Sequence, residues 1–132
     1  MSQENVEVVR KAYEAFARAG SDAVLPFLDP ELEWHDLPDQ PEAAVHHGRE
    51  GFLQAMKDFT EPFAEFTVSV EELRDLGDHV LALLYVRGRG LGSGADFTQK
   101  VATLWTLRGN KAIQARTFND PAKALEAAGL RE

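Results

Sequence analysis

The hydrophobic period changes once along the 132 residues, and that change constrains the fold more than any other feature. Up to Phe63 the apolar residues recur mostly at helical spacing. From Phe66 to Phe118 they alternate as in strands. Val6, Val9, Tyr13 and Phe16 make one helical stripe, with Glu4, Glu7, Arg10, Lys11, Glu14 and Arg18 largely on other faces. Gly20 stops that helix. Ser21 or Asp22 then caps a short second helix carrying Val24, Leu25 and Leu28, ended by Pro30. Leu32 and Trp34 alternate with Glu31 and Glu33, which predicts a strand over Glu31–Asp36. A loop holding Pro38, Pro41, His46 and His47 follows. Phe52, Ala55, Met56, Phe59 and Phe63 predict a third helix over Gly48–Phe63.

Beyond it, strands are predicted at Phe66–Glu71, His79–Arg89, Ala95–Arg108 and Ala112–Phe118. Turns at Gly77-Asp78, Gly90–Gly94 and Gly109-Asn110 separate them. Asp120-Pro121 reads as N-cap and first residue of a closing helix that Gly129 ends. Helices collected early and strands collected late predict a single α+β domain over 1–132. Its helices pack on one face of a mainly antiparallel sheet.

Composition excludes several functions. No cysteine is present, so disulfides, thiolate catalysis and Cys-ligated zinc or iron–sulfur clusters are ruled out. The net charge is −8, which disfavours nucleic acid and anionic membrane as partners. Residues 1–66 carry a balance of −9 and residues 67–132 one of +1; regularly spaced apolar residues mark the acidic half as solvated helix surface. The polar start and the short apolar run Val80–Val86 predict a cytoplasmic protein without a membrane span. Gly88, Gly90, Gly92 and Gly94 imitate a dinucleotide fingerprint, but a strand follows where that motif needs a helix, so no cofactor is expected. The four serines, Ser2, Ser21, Ser69 and Ser93, have no neighbouring histidine, so acyl transfer has no support.

Three stretches resemble the SnoaL-like branch of the nuclear transport factor 2-like superfamily. The first is Val9-Arg10-Lys11-Ala12-Tyr13-Glu14-Ala15-Phe16 with Ala19-Gly20 and Phe27-Leu28-Asp29-Pro30-Glu31-Leu32-Glu33-Trp34. The second is His47-Gly48-Arg49-Glu50-Gly51-Phe52. The third is Trp105-Thr106-Leu107-Arg108-Gly109-Asn110-Lys111 with Arg116-Thr117-Phe118 and Ala124-Leu125-Glu126-Ala127-Ala128-Gly129-Leu130. The resemblance implies a conical fold: a curved sheet wrapped around the N-terminal helices and enclosing an apolar pocket. It also implies a homodimer through the outer sheet face. It does not fix a function, because that superfamily hosts isomerases, dehydratases, cyclases, epoxide hydrolases and binding modules.

The expected pocket lining is Tyr13, Phe16, Trp34, Phe52, Met56, Trp105 and Phe118. In the steroid-isomerase branch a tyrosine matching Tyr13 donates to the oxyanion; the alternative for Tyr13 is a core aromatic whose hydroxyl finds an internal partner. Alternation from Leu32 and Trp34 puts Asp36 on the inner face and His35 outside. An ungapped count from Phe27 puts His35 where that branch has its catalytic base. The local alternation favours Asp36, whose other reading is a strand-end cap for the loop before Pro38. Thr103 stands where the isomerase branch uses a protonated acid, which argues against a strict steroid isomerase. Arg116, at a position where the family often carries arginine, pairs with Asp36 or binds a carboxylate or enolate of a ligand if it faces inward, and pairs with surface acid if it faces outward. His47, with His46, rims the pocket, and one histidine serves as a proton carrier in the dehydratase branch. A metal is not expected, because adjacent histidines do not readily face one ion. The chemistry expected is cofactor-free proton transfer on a small hydrophobic cyclic carbonyl compound, with Asp36 or His35 as base and Tyr13 with Thr103 polarising the carbonyl. The alternative is a non-catalytic binding module.

Overall fold

The structure, a computed structural model, describes residues 2–36 and 44–129. Helix α1 (Ser2–Ala19) leads through a 3-10 helix (Ser21–Phe27) into strand β1 (Leu28–His35). Strand β2 (Val45–His47) runs directly into helix α2 (Gly48–Thr60). Strands β3 (Phe63–Asp75), β4 (His79–Gly90), β5 (Asp96–Arg108) and β6 (Lys111–Phe118) follow, and helix α3 (Pro121–Ala127) closes the order. The six strands form one sheet in the order β2-β1-β6-β5-β4-β3. All neighbours are antiparallel except β1 and β6.

The class and order follow the hydrophobic period, and the departures have local causes. The second helix is 3-10 rather than α. It has seven residues and holds Pro26, which offers no N–H to a longer helical ladder. Leu28 therefore belongs to β1, and Pro30 lies inside that strand. The β1–β6 register slips between Leu28 and Glu33, which gives Pro30 an irregular stretch where no ladder donor is lost. Helix α2 stops at Thr60, short of Pro62, and Phe63 begins β3 instead. The segment read as loop contains the short strand β2; Pro38 and Pro41 lie outside the described residues. At Gly109-Asn110 both residues have positive φ, 60° and 64°, which is the geometry of the tight β5–β6 hairpin.

The sheet buries both faces over its centre. Val80, Ala82, Leu84, Val86, Val101, Trp105 and Leu107 meet α1, α2 and the 3-10 helix on the inner face. Leu81, Ala102, Leu104 and Phe118 meet Ala124 and Leu125 of α3 on the outer face. Asp120 caps α3 by accepting from the Ala122 N–H at 3.0 Å.

One bulge decides which face the last strand shows. Leu107 pairs with Ala112, but Thr106 pairs with Gln114, so one extra residue enters β6. Ala112 and Ala115 both join the inner cluster, while Phe118 joins the outer one. The expectation that Phe118 lines the interior beside Tyr13 is corrected on this ground. Arg116, opposite the outward Leu104, shares the outer face.

Candidate functional site

Tyr13 projects from α1 toward β5, where Trp105 Nε1 donates to its hydroxyl at 3.0 Å. Their rings stand edge-on, 6.0 Å apart. Trp34 of β1 continues the cluster, 5.8 Å from Trp105 and 5.3 Å from Phe52 of α2. Phe16 and Met56 pack against the same core. The interior void beside these rings, lined by Val8, Val9, Ala12, Phe27, Leu28, Trp105 and Ala112, has a volume of about 10 Å³. That is no more than one water's space. The hydroxyl of Tyr13 is buried, and burial holds its pKa far above the usual tyrosine value. The bonds from Trp105 and, more weakly, Thr103 oppose that rise.

Thr103, the one buried polar side chain in the core of the described residues, faces inward with Trp105. Its hydroxyl lies 3.0 Å from that of Thr117 on β6. Trp105 can only donate, so Tyr13 accepts from it, and the Thr103 hydroxyl stands beside the same oxygen. A line of hydroxyls therefore runs from the packed interior to Thr117.

Thr117 lines a cleft of about 330 Å³ at the carboxyl ends of β1 and β6, together with His35, Asp36, Ala44, Val45, Arg116 and Phe118. Asp36 follows β1 and brackets Ala44. Its N–H donates to the Ala44 carbonyl at 3.0 Å, and Ala44 N–H donates to Oδ2 at 3.2 Å. His46 of β2 stands opposite Trp34 and brings Nε2 to 3.1 and 3.2 Å from the two Asp36 oxygens. The pair is about four-fifths buried. A carboxylate only accepts, so Nε2 of His46 donates in this contact. Gly51 makes the placement possible: a Cβ there would come within 2.9 Å of the His46 carbonyl carbon. Arg49 ties α2 to β1 through two bonds to the Leu28 carbonyl, at 3.1 and 2.9 Å.

His35 points the other way, and its Nε2 lies 3.3 Å from Glu33 Oε1. Gln114 donates to the same oxygen at 3.3 Å, and exposed His47 stands opposite Glu33 in the ladder. The Gln114 and His35 bonds, with the nearby imidazoles, hold the Glu33 carboxyl below its usual pKa. The structure thus brings Asp36 together with His46, and Tyr13 together with Thr103 and Trp105; Thr117 joins the second group to the cleft of the first. Arg116 does not pair with Asp36. His46 and Thr117 escaped detection as partners because each meets its neighbour only through strand pairing. Among the described residues no group of three or more His, Cys, Asp or Glu side chains is arranged to hold a metal ion. No described helix is long and apolar enough to cross a membrane.

The family model described as SnoaL-like domain matches residues 9–115. The chain belongs to the SnoaL-like domain family. Solved structures agree on the fold of this SnoaL-like chain. An NTF2-like protein of unknown function from Burkholderia pseudomallei superposes with a TM-score of 0.77 at 24% identity, over 93% of this chain and 95% of that one. A putative SnoaL-like polyketide cyclase from Jannaschia sp. gives 0.75 at 23% identity, over 95% and 91%. A hypothetical protein with a ketosteroid isomerase-like fold from Catenulispora acidiphila, in complex with trimethylamine, gives 0.74 at 20% identity, over 94% and 93%. No curated protein matches the sequence.

Proposed function

We propose that this SnoaL-like protein is a cofactor-free proton-transfer enzyme of isomerase, cyclase or dehydratase type. Its substrate is a small hydrophobic cyclic carbonyl compound bound in the cleft between β1, β2 and β6. The observation that carries the reading is the Asp36–His46 pair, with Asp36 and Thr117 lining the same cleft. Asp36 takes a proton from the carbon beside the carbonyl, and the electron pair moves onto the carbonyl oxygen. His46 orients the carboxylate, and the pair holds the proton until it is returned or used to expel a leaving group. Thr117, its oxygen engaged by Thr103, donates to the developing oxyanion. Tyr13 supports that line from behind rather than touching substrate. His35, turned toward Glu33, is not the base in this reading.

The test is deuterium exchange at the α-carbon of cyclic ketones in D2O, followed by NMR. Asp36→Asn lowers the exchange rate by about 10²- to 10⁴-fold, the span of a lost general base. Thr117→Val lowers it less, and Thr117→Ser restores it. Unchanged exchange in Asp36→Asn would remove the mechanism. It would favour the second reading, a non-catalytic binding module. The two backbone bonds between Asp36 and Ala44 support that alternative, since they give the carboxylate a structural duty. A cytoplasmic homodimer remains part of the proposal. Val45, a large exposed hydrophobic residue on the same ladder face as His35, supports association through the outer sheet face, and light scattering reads it directly.

A further inference from the structure

We infer that the ligand of the cleft carries a planar carboxylate and that Arg116 is its receptor. This deepens the proposed function and rests on the cleft being its site. Arg116 is half-buried on β6, opposite His35 of β1 and Leu104 of β5. Its guanidinium carbon stands 5.3 Å from the centroid of the Phe118 ring, and both side chains line the cleft. Among the described residues no carboxylate lies within ion-pair distance of Arg116, and no acceptor takes any of its N–H groups. This happens in a chain with 22 acidic and 14 basic side chains. Some cations find acceptors, Arg10 at Glu7, Arg74 at Glu72, Arg89 at Glu65 and Asp96, and Arg49 and Lys111 at backbone carbonyls. The others without one among the described residues, Lys11, Arg18, Lys57, Arg87, Lys100, Arg108 and Lys123, are exposed to water, whereas Arg116 is half-buried.

The acids near Arg116 are already engaged. Glu33 holds Gln114 and His35, and Asp36 holds Ala44 and His46. A half-buried guanidinium that lines a cleft and has no acceptor among the described residues is a recognition element for an acceptor from outside. The Phe118 face steadies the guanidinium plane. A planar fork matches the two oxygens of a carboxylate. Asp36, which lines the same cleft, disfavours a dianion such as phosphate and favours a monoanion whose charge lies at Arg116. The substrate is then oriented with its acid at Arg116 and its carbonyl toward Thr117 and Asp36.

The full-length chain is titrated with 2-naphthoate and with its neutral isostere 2-naphthamide by calorimetry at neutral pH and low salt. The wild type prefers the naphthoate by about tenfold or more, as expected for one charge-assisted hydrogen-bonded pair. Arg116→Gln removes the preference, and Arg116→Lys recovers part of it. Equal affinities in the wild type, absence of binding by both probes, or a preference that survives Arg116→Gln would each overturn the inference. So would an Arg116→Gln variant that splits a dimer while the wild type shows no preference, which would assign the guanidinium to a second copy. The ketone-exchange assay separates the two proposals. Exchange without naphthoate preference overturns the carboxylate inference alone. Naphthoate preference without exchange overturns proton transfer alone.

Discussion

The interior of the cone and the cleft at its rim use the same kinds of residue to opposite ends. Around Tyr13, Trp34, Phe52 and Trp105 the aromatic rings meet edge to face, and the void on the Val9 and Ala112 side of Trp105 has only about 10 Å³. At the carboxyl ends of β1 and β6 about 330 Å³ is open, and charged groups face it partly exposed. The interior is where Tyr13, Trp105 and Thr103 satisfy one another, and Thr103 alone reaches out, to Thr117. The cleft is where Asp36, Thr117 and Arg116 have capacity left for something else. In the proposed reading Tyr13 is a structural group, and the chemistry belongs to the rim.

Stability breaks this comparison most strongly. Trp105→Ala deletes a ring shared by Tyr13 and Trp34 and should lower the unfolding free energy by about 3–5 kcal/mol in urea denaturation. Asp36→Asn in the same experiment should cost less, about 1 kcal/mol, because the amide oxygen keeps an acceptor for Ala44 N–H or His46 Nε2 and no packed ring is lost. Similar losses in the two variants would erase the distinction between packed interior and functional rim.

Tyr13→Phe sharpens the same contrast. It leaves the Trp105 N–H without its acceptor, at a cost of about 1–3 kcal/mol. It also has a pH signature. Burial raises the Tyr13 pKa above its ordinary value of 10.0, so the unfolded chain loses this proton before the folded one does. The stabilising contribution is complete below pH 10.0 and declines as pH rises beyond it toward the folded value. Thermal melts of the wild type should fall along that alkaline limb, and those of Tyr13→Phe should fall less steeply. Equal slopes would mean that the hydroxyl is not buried.

The fold was legible because each element carries its own local signal. The helical stripe ends at Gly20, Gly109-Asn110 forces a two-residue turn, and Asp120-Pro121 starts α3. Alternation through Leu32 and Trp34 runs on to Asp36, and His46 stands opposite Trp34. The rest depended on pairing between distant segments. Strand β2 has three residues, too few to show a period, yet it carries His46 to Asp36. The Tyr13–Trp105 bond joins residues 92 positions apart. The bulge between Thr106 and Leu107 is invisible to a residue count, and it turns Arg116 and Phe118 onto the other face. Misplacing one residue in that hairpin is enough to join Arg116 to Asp36 on paper while the structure keeps them apart.

The smallest effect lies on the outer face, where Glu33 offers the last comparison. Its carboxyl accepts from Gln114 and meets His35, but it is half-exposed, unlike the enclosed Tyr13 hydroxyl. The Gln114 bond first, and then His35, hold its pKa below the ordinary 4.5. The folded chain therefore keeps this charge to lower pH than the unfolded chain does. Its contribution is present above pH 4.5 and disappears as pH falls through the folded value. Glu33→Gln should shift the neutral-pH melting temperature little and flatten the acid limb slightly, as circular dichroism melts below pH 4.5 would show. A large loss at neutral pH would instead mean that the Glu33–Gln114–His35 contacts fasten β1 to β6 as firmly as the aromatic interior does. The rim would then need the outer face to hold its shape.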